Sequence, residues 1–176
     1  MKVRNMALCA LFAALLTLCA WISIPVADIA FTLQSMGIAL VLWLLGGKRG
    51  SLAILVYLLL GAVGLPVFSG FQGGLGALLG VTGGYLLGFF VWAVLYWLLT
   101  AFGPKSDRFR LLAMVLGLIV CYAFGSIWSM RLYLQNGNGV GLGFILLKCV
   151  VPYIIPDAAK LTAAWLLSKR LKRFVY

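Results

Sequence analysis

The sequence contains no histidine and no glutamate, and its only acidic residues are Asp28, Asp107 and Asp157. A histidine-based metal site or general base is therefore excluded. The four cysteines, at positions 9, 19, 121 and 149, share no CxxC spacing. Each lies alone in an apolar segment and reads as a small buried residue. No GxxxxGK followed by Ser or Thr occurs anywhere, so the chain has no Walker phosphate loop with which to hydrolyse ATP. Charge itself is scarce. Charged residues make up 10% of the chain, against about 25% in soluble domains, and the run from Ser51 to Pro104 has none.

What remains is apolar: 65% of the 176 residues are hydrophobic and the mean hydropathy is +1.15. This composition is that of an all-α integral membrane protein. At about 20 residues per span the length accommodates six transmembrane helices in one domain, 1–176. The apolar runs predict helices near 6–26, 32–45, 51–65, 82–102, 111–134 and 144–167. The segment at 25–31 reads as a short loop. The net charge of +11 invites a nucleic-acid partner, which the placement of the charges rejects. Eleven of the 14 basic residues fall at the N-terminus, in the 46–50 turn, in the 103–110 loop and in the tail after 168. The alternate loops, 25–31, 66–81 and 135–143, carry none. That alternation fits six spans with both termini cytoplasmic, in the cell membrane and in contact with its lipid.

Two features stand out against this background. The first is the stretch Gly64 to Tyr85, with eight glycines. Irregular backbone at membrane depth survives only when buried in protein or lining a cavity. Glycine permits positive φ and close approach of the main chain. Phe68, Phe71 and Tyr85 offer apolar faces, and Ser69, Gln72 and Thr82 offer hydrogen bonds. The stretch is either the wall of a small-molecule pocket or a connector between helices.

The second feature is the placement of the three remaining cations. Arg131 and Lys148 lie near helix ends and can snorkel. Lys160 lies deep in the last helix, where an unpaired charge costs about 2.5–3.5 kcal/mol or more. Asp157, three residues earlier, shares its helix face. Pro152 and Pro156 interrupt the hydrogen bonding nearby, and Pro156 predicts a kink or restart beside the charge pair. Gln34, Tyr122 and Ser126 are further polar groups expected to face the interior. In the first helix Ala7, Ala10, Ala13 and Ala14 recur at helical spacing. Ala10 and Ala14 form a small-xxx-small pair suited to close helix packing, within the chain or against a partner.

Taken together, these residues resemble the BioY family. The resemblance rests on GLPVF from Gly64 to Phe68, on Gly73 and Gly74, and on VTGGY from Val81 to Tyr85. IPDAAK from Ile155 to Lys160 is similar to the family's Pro-Gly-Asp-x-x-Lys, and TLQ from Thr32 to Gln34 and Gly50 after a basic turn also fit. Val81 stands where the family usually has proline, and the glycine before Asp157 is missing. The family is the biotin-specific substrate-binding (S) component of energy-coupling factor (ECF) transporters. The resemblance implies six helices and biotin held near the outer face. It also implies two kinds of partner, a transmembrane coupling protein and a pair of cytoplasmic ATPases; no cofactor is expected. Ala10 and Ala14 match the family's docking face for the coupling protein. For the ligand, Asp157 would accept from a ureido N–H, and Lys160 or Gln34 would donate to its carbonyl. Phe68, Phe71 and Tyr85 would cover ring and chain. Gly73, Gly83 and Gly84 would shape the loop at the site. Arg131, or a nest of backbone N–H groups, would meet the carboxylate. The other readings are an S component for another vitamin, a stand-alone secondary transporter, and an intramembrane enzyme. The near-absence of acid–base residues disfavours the last.

Overall fold

The computed structural model describes residues 3–26, 29–135 and 141–175; Asp28 and most of the 135–143 loop lie outside them. The chain starts with helix α1, Val3–Trp21, which buries Cys9, Phe12, Ala13, Leu16 and Ala20. The predicted loop at 25–31 is instead an antiparallel strand pair, β1 (Ser23–Val26) and β2 (Ile29–Thr32), with Ser23 opposite Thr32. Ile24, Val26, Ile29, Phe31 and Thr32 are β-formers, and pairing two strands satisfies backbone groups that a loose loop would leave open. Read from charge and hydropathy alone, the segment gave no sign of this.

Helix α2, Gln34–Ala62, reverses direction at Gly46, whose φ is 77° and ψ 169°. The reversal is tight. A Cβ on Gly50 would lie 3.2 Å from the Cα of Leu42, and Gln34 reaches Tyr57, 23 residues on, with a 2.8 Å hydrogen bond. In a straight helix those two residues would be about 35 Å apart. Only glycine readily takes this φ. The expected second and third spans are thus two antiparallel arms, 34–45 and 47–62. Among the described residues four helices are individually long and apolar enough to cross a membrane, or five with the bent pair α6–α7 counted as one. The expectation of six spans exceeds this count by one; it is reached only if the two arms of α2 are counted separately. At about 18 and about 24 Å the arms fall short of the roughly 30 Å hydrocarbon core.

After α2 the chain is irregular through Gly64 (φ 107°), a 3₁₀ turn at Ser69–Phe71 and the short helix α3, Leu75–Leu79. Helices α4 (Gly83–Phe102) and α5 (Asp107–Gln135) then pack closely. Gly117 of α5 admits the ring of buried Trp92 from α4. The last pass is broken. Helix α6, Leu142–Cys149, meets α7, Val151–Val175, at an angle of 42°. The break falls at Val150, not at Pro156, which lies inside α7. Pro152 occupies the first turn, where its missing N–H has no intrahelical partner to lose. Asp157 is therefore not at a helix start, as a restart at Pro156 would have placed it.

Helix α2 contacts α1, α4 and α7 and forms the centre of the core. At one end of the bundle Gly46, Gly47, Pro104, Lys105, Arg110 and Lys172 surround a common cleft, so three of the basic segments meet there. Toward the other end Trp21, at the close of α1, donates a 2.8 Å hydrogen bond to the carbonyl of Pro66. Single cysteines at Lys48 and Lys105, in a chain otherwise cleared of cysteine, should label only from the cytoplasmic side, and one at Ser69 only from outside. Labelling of position 105 from outside would break the six-pass topology.

Candidate functional site

One cavity opens between the β1–β2 pair, α2, the 68–82 segment, α4, α5, α6 and α7. The cavity is about 90 Å³ as it stands, below the roughly 300–1,000 Å³ of typical small-molecule sites, and it opens outward.

Its chemistry centres on Asp157, which is 5% exposed. Oδ1 accepts hydrogen bonds from Ser35 Oγ and from Lys160 Nζ, each at 2.8 Å. Oδ2 accepts one from the hydroxyl of Tyr122. Lys160, 8% exposed, also lies over the ring of Phe31, with Nζ 3.9 Å from its centroid. A buried ion pair is tolerable only when its remaining hydrogen-bonding capacity is met. Here three side chains from α2, α5 and α7 meet one carboxylate. An ionised carboxylate has about four acceptor positions, which leaves one free on Oδ2. Lys160 has further N–H donors beyond the one it gives to Asp157.

A second polar group lies on α2. Gln34 Oε1 accepts from Thr32 Oγ1 at 3.0 Å and its Nε2 donates to Tyr57 at 2.8 Å. Tyr57 in turn donates to the carbonyl of Val67 at 3.2 Å and stands edge-on to Phe68, with centroids 5.5 Å apart. Phe68, Tyr85, Phe89 and Tyr153 supply apolar walls, and Ser69, Gln72 and Thr82 line the cavity with polar groups. The Tyr85 hydroxyl is 3.3 Å from that of Ser126. Tyr153 stacks on Phe31 at 6.2 Å.

Of the residues singled out in the sequence, Gln34, Phe68, Tyr85, Asp157 and Lys160 line this cavity. Phe71 does not: it is 63% exposed and packs on Trp21 with centroids 5.0 Å apart. Arg131 lies exposed outside the cavity. It follows buried Ser129 by two positions, which is about 200° around a helix. Gly73, Gly83 and Gly84 are also outside the lining, and the close approach they allow is to the protein itself. A Cβ there would lie 2.2 Å from the Leu65 carbonyl oxygen, 1.9 Å from that of Leu78 and 2.3 Å from Trp128 Cβ, respectively. The glycine-rich stretch therefore contributes both wall and connector. Ser35, Tyr57 and Tyr153 escaped the sequence reading. Tyr153 was within reach of it, four residues before Asp157 on the same helix face. Ser35 and Tyr57 carry no signal beyond being polar groups in apolar runs.

The family model described as the BioY family matches residues 1–176. The chain belongs to the BioY family. A relative named biotin transporter BioY from Thermotoga maritima is 40% identical over 172 residues, covering 97% of each chain. One named probable biotin transporter BioY from Pyrococcus horikoshii is 36% identical and covers 98% of each. Among solved structures, the S-component for biotin from an ECF-type ABC transporter superposes with a TM-score of 0.83 at 26% identity. That match covers 98% of this chain and 92% of the other. The S component of another bacterial ECF transporter, 17% identical, shares the fold with a TM-score of 0.58. The family's members are transporter components and not enzymes. This BioY-family chain is accordingly a multi-pass membrane protein of the S-component fold.

The position of Phe68 depends on Gly61 of α2. A Cβ at residue 61 would lie 2.0 Å from Phe68 Cζ. Gly61→Ala should therefore displace the ring and lower stability by about 1–3 kcal/mol, the usual cost of overpacking. Thermal melting of the purified variant measures this; an unchanged melting temperature would show that the ring is not held against α2.

Proposed function

We propose that this chain binds biotin in the Asp157 cavity and delivers it into the cell as the specificity subunit of an ECF transporter. The observation that carries the reading is the buried Asp157–Lys160 pair opening onto an aromatic-walled cavity in a BioY-family chain. Biotin's ureido group has two N–H donors and one carbonyl acceptor. The free position on Asp157 suits an N–H, and a spare N–H of Lys160 or of Gln34 suits the carbonyl. Phe68, Phe89, Tyr85 and Tyr153 provide surfaces for the apolar ring and chain. With Arg131 outside the cavity, the ligand's carboxylate is better served by the polar lining groups Ser69, Gln72 and Thr82.

With no Walker motif in this chain, ATP-driven uptake would draw its energy from another chain. We assign that role to a transmembrane coupling protein with two ATPases. Ala7, Ala10 and Ala14 form an exposed face on α1, whereas Ala13 points into the core. That outward small-residue face suits the close approach of a partner helix.

Titration of biotin against Asp157→Asn, Lys160→Met and the double variant tests the site. Each single change should weaken binding by about 1–3 kcal/mol, the scale of an unsatisfied buried polar group. The double variant should fold, because no charge is stranded, and still bind poorly. Near-normal affinity in the double variant would remove the pair from the site. A panel of other vitamins in the same assay tests the choice of ligand.

For the partner face, Ala10→Trp or Ala14→Trp should weaken co-purification with the coupling protein and leave biotin affinity unchanged. Lost binding with intact assembly would show that the face serves the fold of this chain alone.

A further inference from the structure

The carboxamide of Gln34 is held in one orientation by groups whose roles as donor or acceptor are fixed. At one end stands the carbonyl of Val67, which can only accept. The Tyr57 hydroxyl donates to it at 3.2 Å and is left to accept from Gln34 Nε2 at 2.8 Å. At the other end stands the backbone N–H of Gln34, which can only donate. It donates to Thr32 Oγ1 at 3.3 Å, and Thr32 turns its own proton to Gln34 Oε1 at 3.0 Å. The oxygen and nitrogen of a carboxamide have nearly the same shape, and the network around them decides which way the group points. Reversing it here would draw the Tyr57 proton away from buried Val67 and the Thr32 proton away from the amide.

Tyr57 is fully buried and is not part of the cavity wall, which Gln34 and Thr32 both line. It stands on the second arm of α2, brought beside Gln34 by the reversal at Gly46. Gln34 Nε2 carries two N–H groups, and Tyr57 takes one. The other belongs to a wall residue adjacent in sequence to Ser35, which hydrogen-bonds Asp157. The donor therefore lies on the same wall as the charge pair. A site built to hydrogen-bond one group rejects an analogue that leaves its buried polar atoms unpaired.

We infer that Tyr57 is a specificity-determining positioning residue, which holds the Gln34 amide so that an N–H, and not the oxygen, meets the head of the ligand. The inference rests on the biotin reading above, in which that head is a ureido group. The position facing Gln34 then takes a carbonyl oxygen and refuses an N–H donor. Tyr57 itself touches no ligand and acts only through the amide it orients.

The test uses 2-iminobiotin, which keeps the shape of biotin and carries an N–H donor in place of the ureido oxygen. Both ligands are titrated against the full-length wild type, Tyr57→Phe, Gln34→Met and the double variant, with a melting curve for each. Tyr57→Phe keeps the ring that packs edge-on to Phe68 and loses only the hydroxyl. Its preference for biotin over 2-iminobiotin should shrink by about three- to tenfold, the scale of one hydrogen bond. Lys160 opposes the added donor in every variant alike, so the change in preference reports the amide. In the Gln34→Met background the same substitution should alter the preference by no more than about twofold, because no amide is left to hold. A hydroxyl that serves only the fold would weaken both ligands together and in both backgrounds, and that result overturns the inference. If Tyr57→Phe does not fold, Gln34→Glu serves, since a carboxylate has no N–H to offer. Its preference should move toward 2-iminobiotin by about tenfold or more, and an unchanged preference overturns the inference. A wild type that binds no biotin overturns the underlying reading as well. Tight biotin binding with an unshifted preference in Tyr57→Phe overturns the inference alone.

Discussion

Everything in the upper bundle depends on a carboxylate and an ammonium kept out of water. Asp157 and Lys160 are both buried, and the cost of burying them constrains two other helices and a strand at once. Ser35 fixes where the first arm of α2 begins relative to α7, and Tyr122 fixes the height of α5. Phe31 brings β2 over the ammonium. Moving any of these elements would leave a buried charge underserved. The pair is thus both the reason the surrounding helices sit where they do and the polar centre of the cavity they enclose.

The membrane class and the pairing of Lys160 with Asp157 were legible in the sequence because each rests on an energetic cost too large to hide. A charge-free run of 54 residues cannot be a soluble loop, and a lysine in the middle of an apolar helix needs a partner. The β1–β2 pair was not legible. Its residues are as apolar as the helices around it, and what makes it a sheet is pairing between two short segments, not a periodicity within either. The bend at Val150 was misplaced for a related reason. Pro156 weakens a helix locally, but α7 tolerates it, while the break six residues earlier is marked by Pro152 in the first turn that follows it.

The glycines show how one residue type carries several causes. Gly46 supplies a backbone angle, and without it the two arms of α2 could not fold against each other. Gly61 and Gly117 supply space for aromatic rings, and Gly73 and Gly83 supply clearance for carbonyl groups. Sequence reading sees only the missing side chain and cannot tell which of these uses applies. The resemblance gives Gly73, Gly83 and Gly84 to the ligand site, whereas their near neighbours are protein atoms. The aromatic residues admitted by the glycines were the more reliable guide: Phe68 and Tyr85 face the cavity, and both rest against a glycine on a neighbouring helix, Gly61 and Gly125 respectively.

The close spacing of Asp157 and Lys160 also bears on how the last helix enters the bilayer. Because the two are three residues apart on one helix, linked at 2.8 Å, they neutralise each other without help from any other segment. Helix α7 therefore carries no net charge at their depth even before Tyr122 and Ser35 arrive. Had the counter-ion been placed on α5 or α2 instead, α7 would face the hydrocarbon as a bare cation during insertion, and its entry would have to wait for a neighbour already in place. As built, biogenesis can proceed in two stages: a self-contained neutral helix partitions first, and the shared carboxylate recruits its hydroxyl donors when the helices assemble.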